Sequence, residues 1–272
     1  MGIAAMQAAA TGMKAMDTKL NVVANNLANI STTGFKRSRT NFEDLFYQTF
    51  REPGARDAND EPAPIGIQNG LGVMVSSTQL DFTQGSLDQT GKPLDVAISG
   101  EGFFQVKTYY NGDEVTAYTR AGNFVKNPNG KIVMANNEGS PLEPPIELPQ
   151  DVATDSINIG LDGRVQYRVN GGSSNLTDGG QIELARFVNP EGLKSIGKNL
   201  YVETDASGQP ITGQPQQEGL GSLRQGTLEG SNVEPVRELV DLIFTQRGFE
   251  LNSQAIQSAN EGLRIVANLR NG

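Results

Sequence analysis

The sequence predicts an α+β fold. Both chain ends build one discontinuous, coiled-coil helical domain, and an extended linker leads to a central all-β domain. Three observations predict it. Apolar residues recur with heptad spacing in residues 1–35 and 233–272. Between them the period shortens to that of strands. The 32 glycines and 13 prolines crowd into this middle part and nearly avoid the ends.

In the first helix Met13, Met16, Leu20, Val23, Leu27 and Ile30 fall at intervals of 3, 4, 3, 4 and 3, the seam of a helix that packs on another helix. Thr32, Thr33 and Gly34 end it, since glycine readily takes the left-handed conformation that closes a helix. In the last helix Pro235 sits at the first turn, where a missing N–H is harmless, and Ser231 or Asn232 can cap. Leu242, Phe249, Ile256 and Leu263 recur every seven residues, and Asn252, Ala259 and Val266 follow three positions after the last three. This seam is apolar but interrupted by small and amide residues. Burying a Leu or Ile contributes about 1.5–3 kcal/mol, whereas ordering a residue costs about 1.5 kcal/mol. A two-helix pair alone is therefore marginal, and both stripes call for intermolecular partners.

Residues 46–66 contain Pro53, Gly54, Pro62 and Pro64, and show no helical period. They read as a long extended excursion within a linker and hairpin region of residues 36–95 and 217–232. The central β domain then spans 96–216. Its strands are announced by Val96–Ile98, Phe103–Val106, Val115–Tyr118, Ile157–Ile159 and Arg164–Tyr167, with a further run at Val73–Val75 in the linker. Asn129-Gly130, Asp162-Gly163 and Ser207-Gly208 read as hairpin turns. Pro141 to Pro149 reads as a stiff surface connector.

Composition removes most chemistry. There is no Cys, His or Trp, so the common zinc, haem, copper and iron–sulfur sites lack their ligands, as do Ser-His-Asp and Cys-His catalysis. No catalytic residue, cofactor or metal is expected. The net charge is −9, and the one basic cluster, Lys36, Arg37 and Arg39, is too small for a phosphate-binding stripe. The glycines of Ser99–Phe104 and of Gly219–Gly226 lack the helix a phosphate loop needs and read as turns. Asn127–Gly130 lacks the acidic twelfth position of a calcium loop. Asp81, Asp88 and Asp95 lie in a non-helical stretch, so their spacing does not gather them on one face. The glycosylation matches at Asn29 and Asn175 are too short to carry weight. No run of 18 apolar residues and no secretory leader pattern is visible, so any export is expected by a route that needs no cleaved signal, without membrane insertion.

The run Val23 to Arg39 (VANNLANISTTGFKRSR) resembles the N-terminal signature of bacterial flagellar rod and hook proteins, the axial family. Pro93 to Val106, Tyr118 to Phe124, and the series Asn232-Val233, Glu238 to Val240, Thr245 to Glu250 and Asn252-Ser253 resemble its central and C-terminal motifs. The short length and the stretch Asp44 to Pro64 are similar to the distal rod branch, whose marker insertion would be residues 46–66, with Tyr47, Phe50, Pro53, Gly54, Pro62 and Pro64. Here that insertion is more acidic than the usual pattern, and Gly248 stands where Ala is commoner. The resemblance implies a structural, non-enzymatic subunit that polymerises into a rigid hollow rod in the basal body, crossing the periplasm and transmitting torque. It implies partners: further copies of the chain, proximal rod and hook proteins, the bushing rings of the peptidoglycan and outer membrane, and the flagellar type III export apparatus. The terminal helices are then expected to be largely disordered in the free monomer and to fold on assembly. The rival expectation is a β-rich binding or carbohydrate-active protein that its helices merely trimerise.

Overall fold

A computed structural model describes residues 2–54, 56, 64–168 and 176–270. The chain divides into two compact units: one of residues 1–28, 38–80 and 234–272, the other of 29–37 and 81–233.

The first unit holds both long helices. α1 spans Gly2–Ala28 and α2 spans Pro235–Arg270. Gly12 faces Asn252, Gly248 faces Met16, and Asn26 bonds Glu238, so the pair is antiparallel. The same register sets the start of α1 opposite Gly262, and the last turns of α2 run on beyond it. Pro235 opens α2 as expected. Ser231 and Asn232 lie too far upstream to cap it, and Asn232 instead accepts from Arg37 N–H and donates to Asp81 O. α1 ends at Ala28, before the expected Thr32–Gly34 stop, so Ile30 lies outside the helix. The cause is Asn26, whose side chain accepts from Ser38 N–H (3.0 Å) and donates to Ser38 O (2.8 Å). It pairs with that backbone as a strand residue would.

The rest of this unit is a two-stranded ribbon. β1 (Ser38–Asp44) and β2 (Tyr47–Arg51) run out, and β3 (Ile67–Gly70) and β4 (Val73–Leu80) return, with β1 on β4 and β2 on β3. The excursion expected over 46–66 thus begins as paired strand rather than unpaired chain. A bulge between Asn41 and Phe42 bends the outgoing strand. At Gly72 (φ +118°) a Cβ would meet Thr11 Oγ1 at 2.0 Å, so glycine lets the ribbon reach α1.

The second unit is the β domain. Its strands are β5 (Leu87–Gln89), β6 (Val96–Ser99), β7 (Phe103–Tyr110), β8 (Asp113–Thr119), β9 (Phe124–Lys126) and β10 (Ile132–Met134). Then follow β11 (Ile157–Ile159), β12 (Arg164–Tyr167), β13 (Thr177–Gln181), β14 (Leu184–Arg186), β15 (Lys194–Gly197), β16 (Leu200–Val202), β17 (Ile211–Gly213), β18 (Ser222–Gln225) and β19 (Thr227–Glu229). The largest sheet is antiparallel, in the order β15-β16-β8-β7-β14-β17. Phe104, Val106, Leu184 and Leu200 from it join Ile98, Ile146, Val165 and Leu223 in one buried core.

Several sequence expectations are corrected here. β5 pairs β19 and β6 pairs β18, so residues 81–95 and 217–233 belong to the β domain rather than to a linker. Pro141–Pro149 is no surface connector. Leu142, Ile146 and Leu148 are buried, and bridges tie the segment to Val106, Lys131 and Val133. Its prolines hide a chain whose apolar residues still point one way. Asn129-Gly130 and Asp162-Gly163 do turn between paired strands. Ser207-Gly208 turns too, but its flanking strands β16 and β17 pair with other partners.

Candidate assembly surface

The contact line between the helices is made of small and polar residues. On α1 it is Ala9, Gly12, Ala15, Val23 and Asn26, all buried; on α2 the buried residues are Glu238 and Thr245, with Asp241, Gly248, Asn252, Ile256 and Ala259 half-buried. A Cβ on Gly12 would lie 2.9 Å from Asn252 Nδ2, and one on Gly248 would lie 3.3 Å from Met16 Sδ. The axes are close because those side chains are missing. Lys19 adds a loose ion pair to Asp241 at 3.9 Å.

The expected stripe therefore supplies only part of this line, Val23 and Ile256, and its other members flank it. Of its α1 members only Val23 is buried; Met13, Met16, Leu20 and Leu27 are half-buried, as is Ile30 beyond the helix end. On α2, Leu242 and Ile256 are half-buried, while Phe249 and Leu263 are exposed. The Val266 side chain lies outside the described residues. The rest of α2 is more open still: Val236 is 73% exposed, Phe244 68% and Leu251 65%, with Leu239, Val240, Ile243 and Ile265 also exposed. Apolar residues thus face several directions around one helix, and a single neighbour on one side leaves most uncovered.

The ribbon carries a second apolar set. Phe46 is 89% exposed, and Tyr47, Phe50, Ile65 and Ile67 are exposed with it. Asp44 accepts a hydrogen bond from the Tyr47 hydroxyl and so raises its pKa. Pro53 and Gly54 (φ +83°) turn away just after β2, and Pro64 is exposed on the returning side. Pro62 lies outside the described residues.

The basic cluster reads differently in three dimensions. Lys36 is fully buried, and its Nζ donates to Glu229 Oε1 and Thr83 O, both at 2.7 Å. Glu229 is fully buried too, and also accepts from Gly85 N–H (3.0 Å) and Arg120 Nη1 (3.3 Å). Desolvation lowers the pKa of Lys36 and of Arg120, against the pull of Glu229. Gly34 donates its N–H to Glu229 O, and at its φ of +69° a Cβ would strike Ala121 N at 2.6 Å. The loop 29–37 is therefore fastened into the β domain by charge, backbone bonds and a position only glycine fits. Sequence reading missed this anchor, because its two halves lie some two hundred residues apart.

The other candidate motifs are structural. Gly100 and Gly102 take positive φ in the turn into β7, and Asn127 caps a turn by accepting from Lys131 N–H at 2.8 Å. Asp95 is buried and accepts from Thr90 Oγ1 at 2.6 Å. Among the described residues no group of three or more acidic side chains could hold a metal ion, and no helix is long and apolar enough to cross a membrane.

Three family models match the chain: flagella basal body rod protein over residues 6–36, flagellar hook protein FlgE/F/G D1 domain over 97–167, and flagellar basal body rod FlgEFG protein C-terminal over 224–269. The chain is 45% identical to the flagellar basal-body rod protein FlgG of Agrobacterium fabrum, covering 97% of this chain and 98% of that one. It is 45% identical to FlgG of Buchnera aphidicola from Schizaphis graminum (95% and 96% covered) and 38% identical to FlgG of Bacillus subtilis (96% of each). With matches at both helices and in the β domain, and identity sustained over nearly the full length, the chain belongs to the flagellar basal-body rod protein family.

Proposed function

We propose that this chain is a structural subunit of the flagellar basal-body distal rod, a rigid hollow shaft that links motor to hook and transmits torque. One observation carries the reading: among the described residues, α2 leaves nine large apolar side chains exposed after pairing with α1. At up to about 1.5–3 kcal/mol per side chain, covering most of them supplies free energy of the same order as the roughly 4–15 kcal/mol that association costs. Neighbours that cover them must bind through unlike surfaces, because a closed symmetric contact cannot elongate. In this reading the helix pairs line the inner tube. Proximal rod protein below and hook or other axial protein above continue the same packing. The peptidoglycan and outer-membrane rings act as bushings, and the flagellar type III apparatus exports the unassembled chain. The ribbon tip, residues 46–66, lies against a neighbouring subunit and prevents the sliding that would let the shaft bend.

The test is Leu263→Asp. It places a charge on a surface that packs only in the polymer, so thermal unfolding of the β domain should stay within about 2 °C of the parent. Rod growth and swimming should be lost. Normal motility would reject the proposal.

A further inference from the structure

The β domain contains a small cavity of about 200 Å³, lined by Phe82, Glu101, Phe103, Arg120, Arg186 and Val188 among others. Arg120 is 4% exposed, with its guanidinium 5.3 Å from the Phe103 ring centre. Its Nη1 reaches Glu229, yet its Nε is buried and has no hydrogen-bond partner among the described residues. Glu229 is already shared with Lys36, so two buried cations lean on one buried carboxylate. A buried N–H of a charged group left without an acceptor costs more than about 1–3 kcal/mol. The mouth of the cavity is open: Val188 is 82% exposed. Arg186 lies at that mouth, and its contact to Glu101 is 3.8 Å long, between a partly exposed guanidinium and a well-exposed carboxylate, a pair worth little and easily exchanged. Aromatic walls lower the local dielectric, so a carboxylate that reaches these guanidiniums is held harder than one at the surface.

We propose that this cavity is a carboxylate socket, and that its occupant is an acidic side chain from the ribbon tip of a second copy of this chain. Charge complementarity selects the occupant. Residues 41–100 hold nine acidic and three basic residues, and 57–61 (Asp-Ala-Asn-Asp-Glu) carry three acids with no base. The socket carries two arginines on a chain that is otherwise acidic. The proposal rests on the reading above, that the tip lies against a neighbouring subunit, and names what receives it. Both guanidiniums fork onto the incoming carboxylate, a geometry that sets register as well as energy. The contact is heterologous, tip to socket, so it propagates along a polymer instead of closing a dimer.

The test uses full-length protein kept dilute enough to remain monomeric, with the Arg120 Nε–H resonance followed by NMR. The probe is a synthetic peptide of residues 50–64. It should give a saturable shift of that resonance. A peptide with Asp57, Asp60 and Glu61 replaced by Asn, Asn and Gln should bind at least ten-fold more weakly. Arg186→Glu, on a partly exposed side chain, should abolish the shift while leaving the unfolding temperature unchanged. No shift, or equal shifts from both peptides, would overturn the socket. Glutarate acting as tightly as the acidic peptide would overturn its assignment to the ribbon. Polymerisation, read separately by electron microscopy, tests the rod reading itself: filaments without peptide binding refute the socket alone.

Discussion

The buried charges around Glu229 make an asymmetric prediction. Lys36→Met removes one cation, but Glu229 keeps the Gly85 N–H at 3.0 Å and Arg120 at 3.3 Å, and Thr83 O keeps a donor in Asn232 Nδ2 at 3.1 Å. Glu229→Gln instead strands Lys36 and Arg120 together without a buried counter-charge. Removing one member of a buried pair costs about 3–5 kcal/mol. Lys36→Met therefore belongs near about 3 kcal/mol and Glu229→Gln near about 5 kcal/mol. A unit of this size loses roughly 2–4 °C per kcal/mol, which gives drops of about 6–12 °C and about 10–20 °C. Thermal unfolding at pH 7, followed by the near-ultraviolet circular dichroism of the aromatic core, measures both. Equal drops, a smaller drop for Glu229→Gln, or two shifts under about 2 °C would refute the account of this cluster.

Further predictions concern other parts of the chain. Gly34→Ala forces a Cβ into the Ala121 backbone at positive φ, and should destabilise the β domain by more than about 1 kcal/mol, read as a lower unfolding midpoint in urea. Burial pushes the Tyr201 hydroxyl up to about 12. A raised folded-state pKa supplies stability that is complete below the unfolded value near 10 and is lost as pH rises toward 12. Parent protein should thus lose stability more steeply over that window than Tyr201→Phe; parallel slopes would contradict this. Deleting residues 46–64 removes the ribbon tip, and electron microscopy of basal bodies should then show curved or flexible rods rather than straight ones.

The two ends were legible because a heptad period marks a helix whatever covers it. The contact line within the molecule was legible only in part: Val23, Asn252, Ile256 and Ala259 fall in the seam, whereas Gly12, Ala15 and Thr245 carry no hydrophobic signal, and most of the apolar repeat marks surface left open beside that line. Asn111-Gly112, both at positive φ, turns between β7 and β8, and this was a readable hairpin signal that strand propensity alone had passed over. Pro141–Pro149 misled because its prolines outweighed the spacing of Leu142, Ile146 and Leu148. The anchoring loop was recognisable only by resemblance. Nothing local in Phe35-Lys36-Arg37 reveals that the lysine is buried, since its carboxylate partner lies on β19 and its other support comes from Thr83. The same distance concealed the cavity beside Arg120, whose walls come from four separate stretches of chain.

Hydrogen exchange along α2, measured on dilute monomer and on assembled rods, tests the central claim most directly. The account predicts fast exchange from Val236 to Leu263 in the monomer and protection at least ten-fold greater in the polymer, with the β core unchanged between the two. Full protection of α2 in the solitary chain would contradict it.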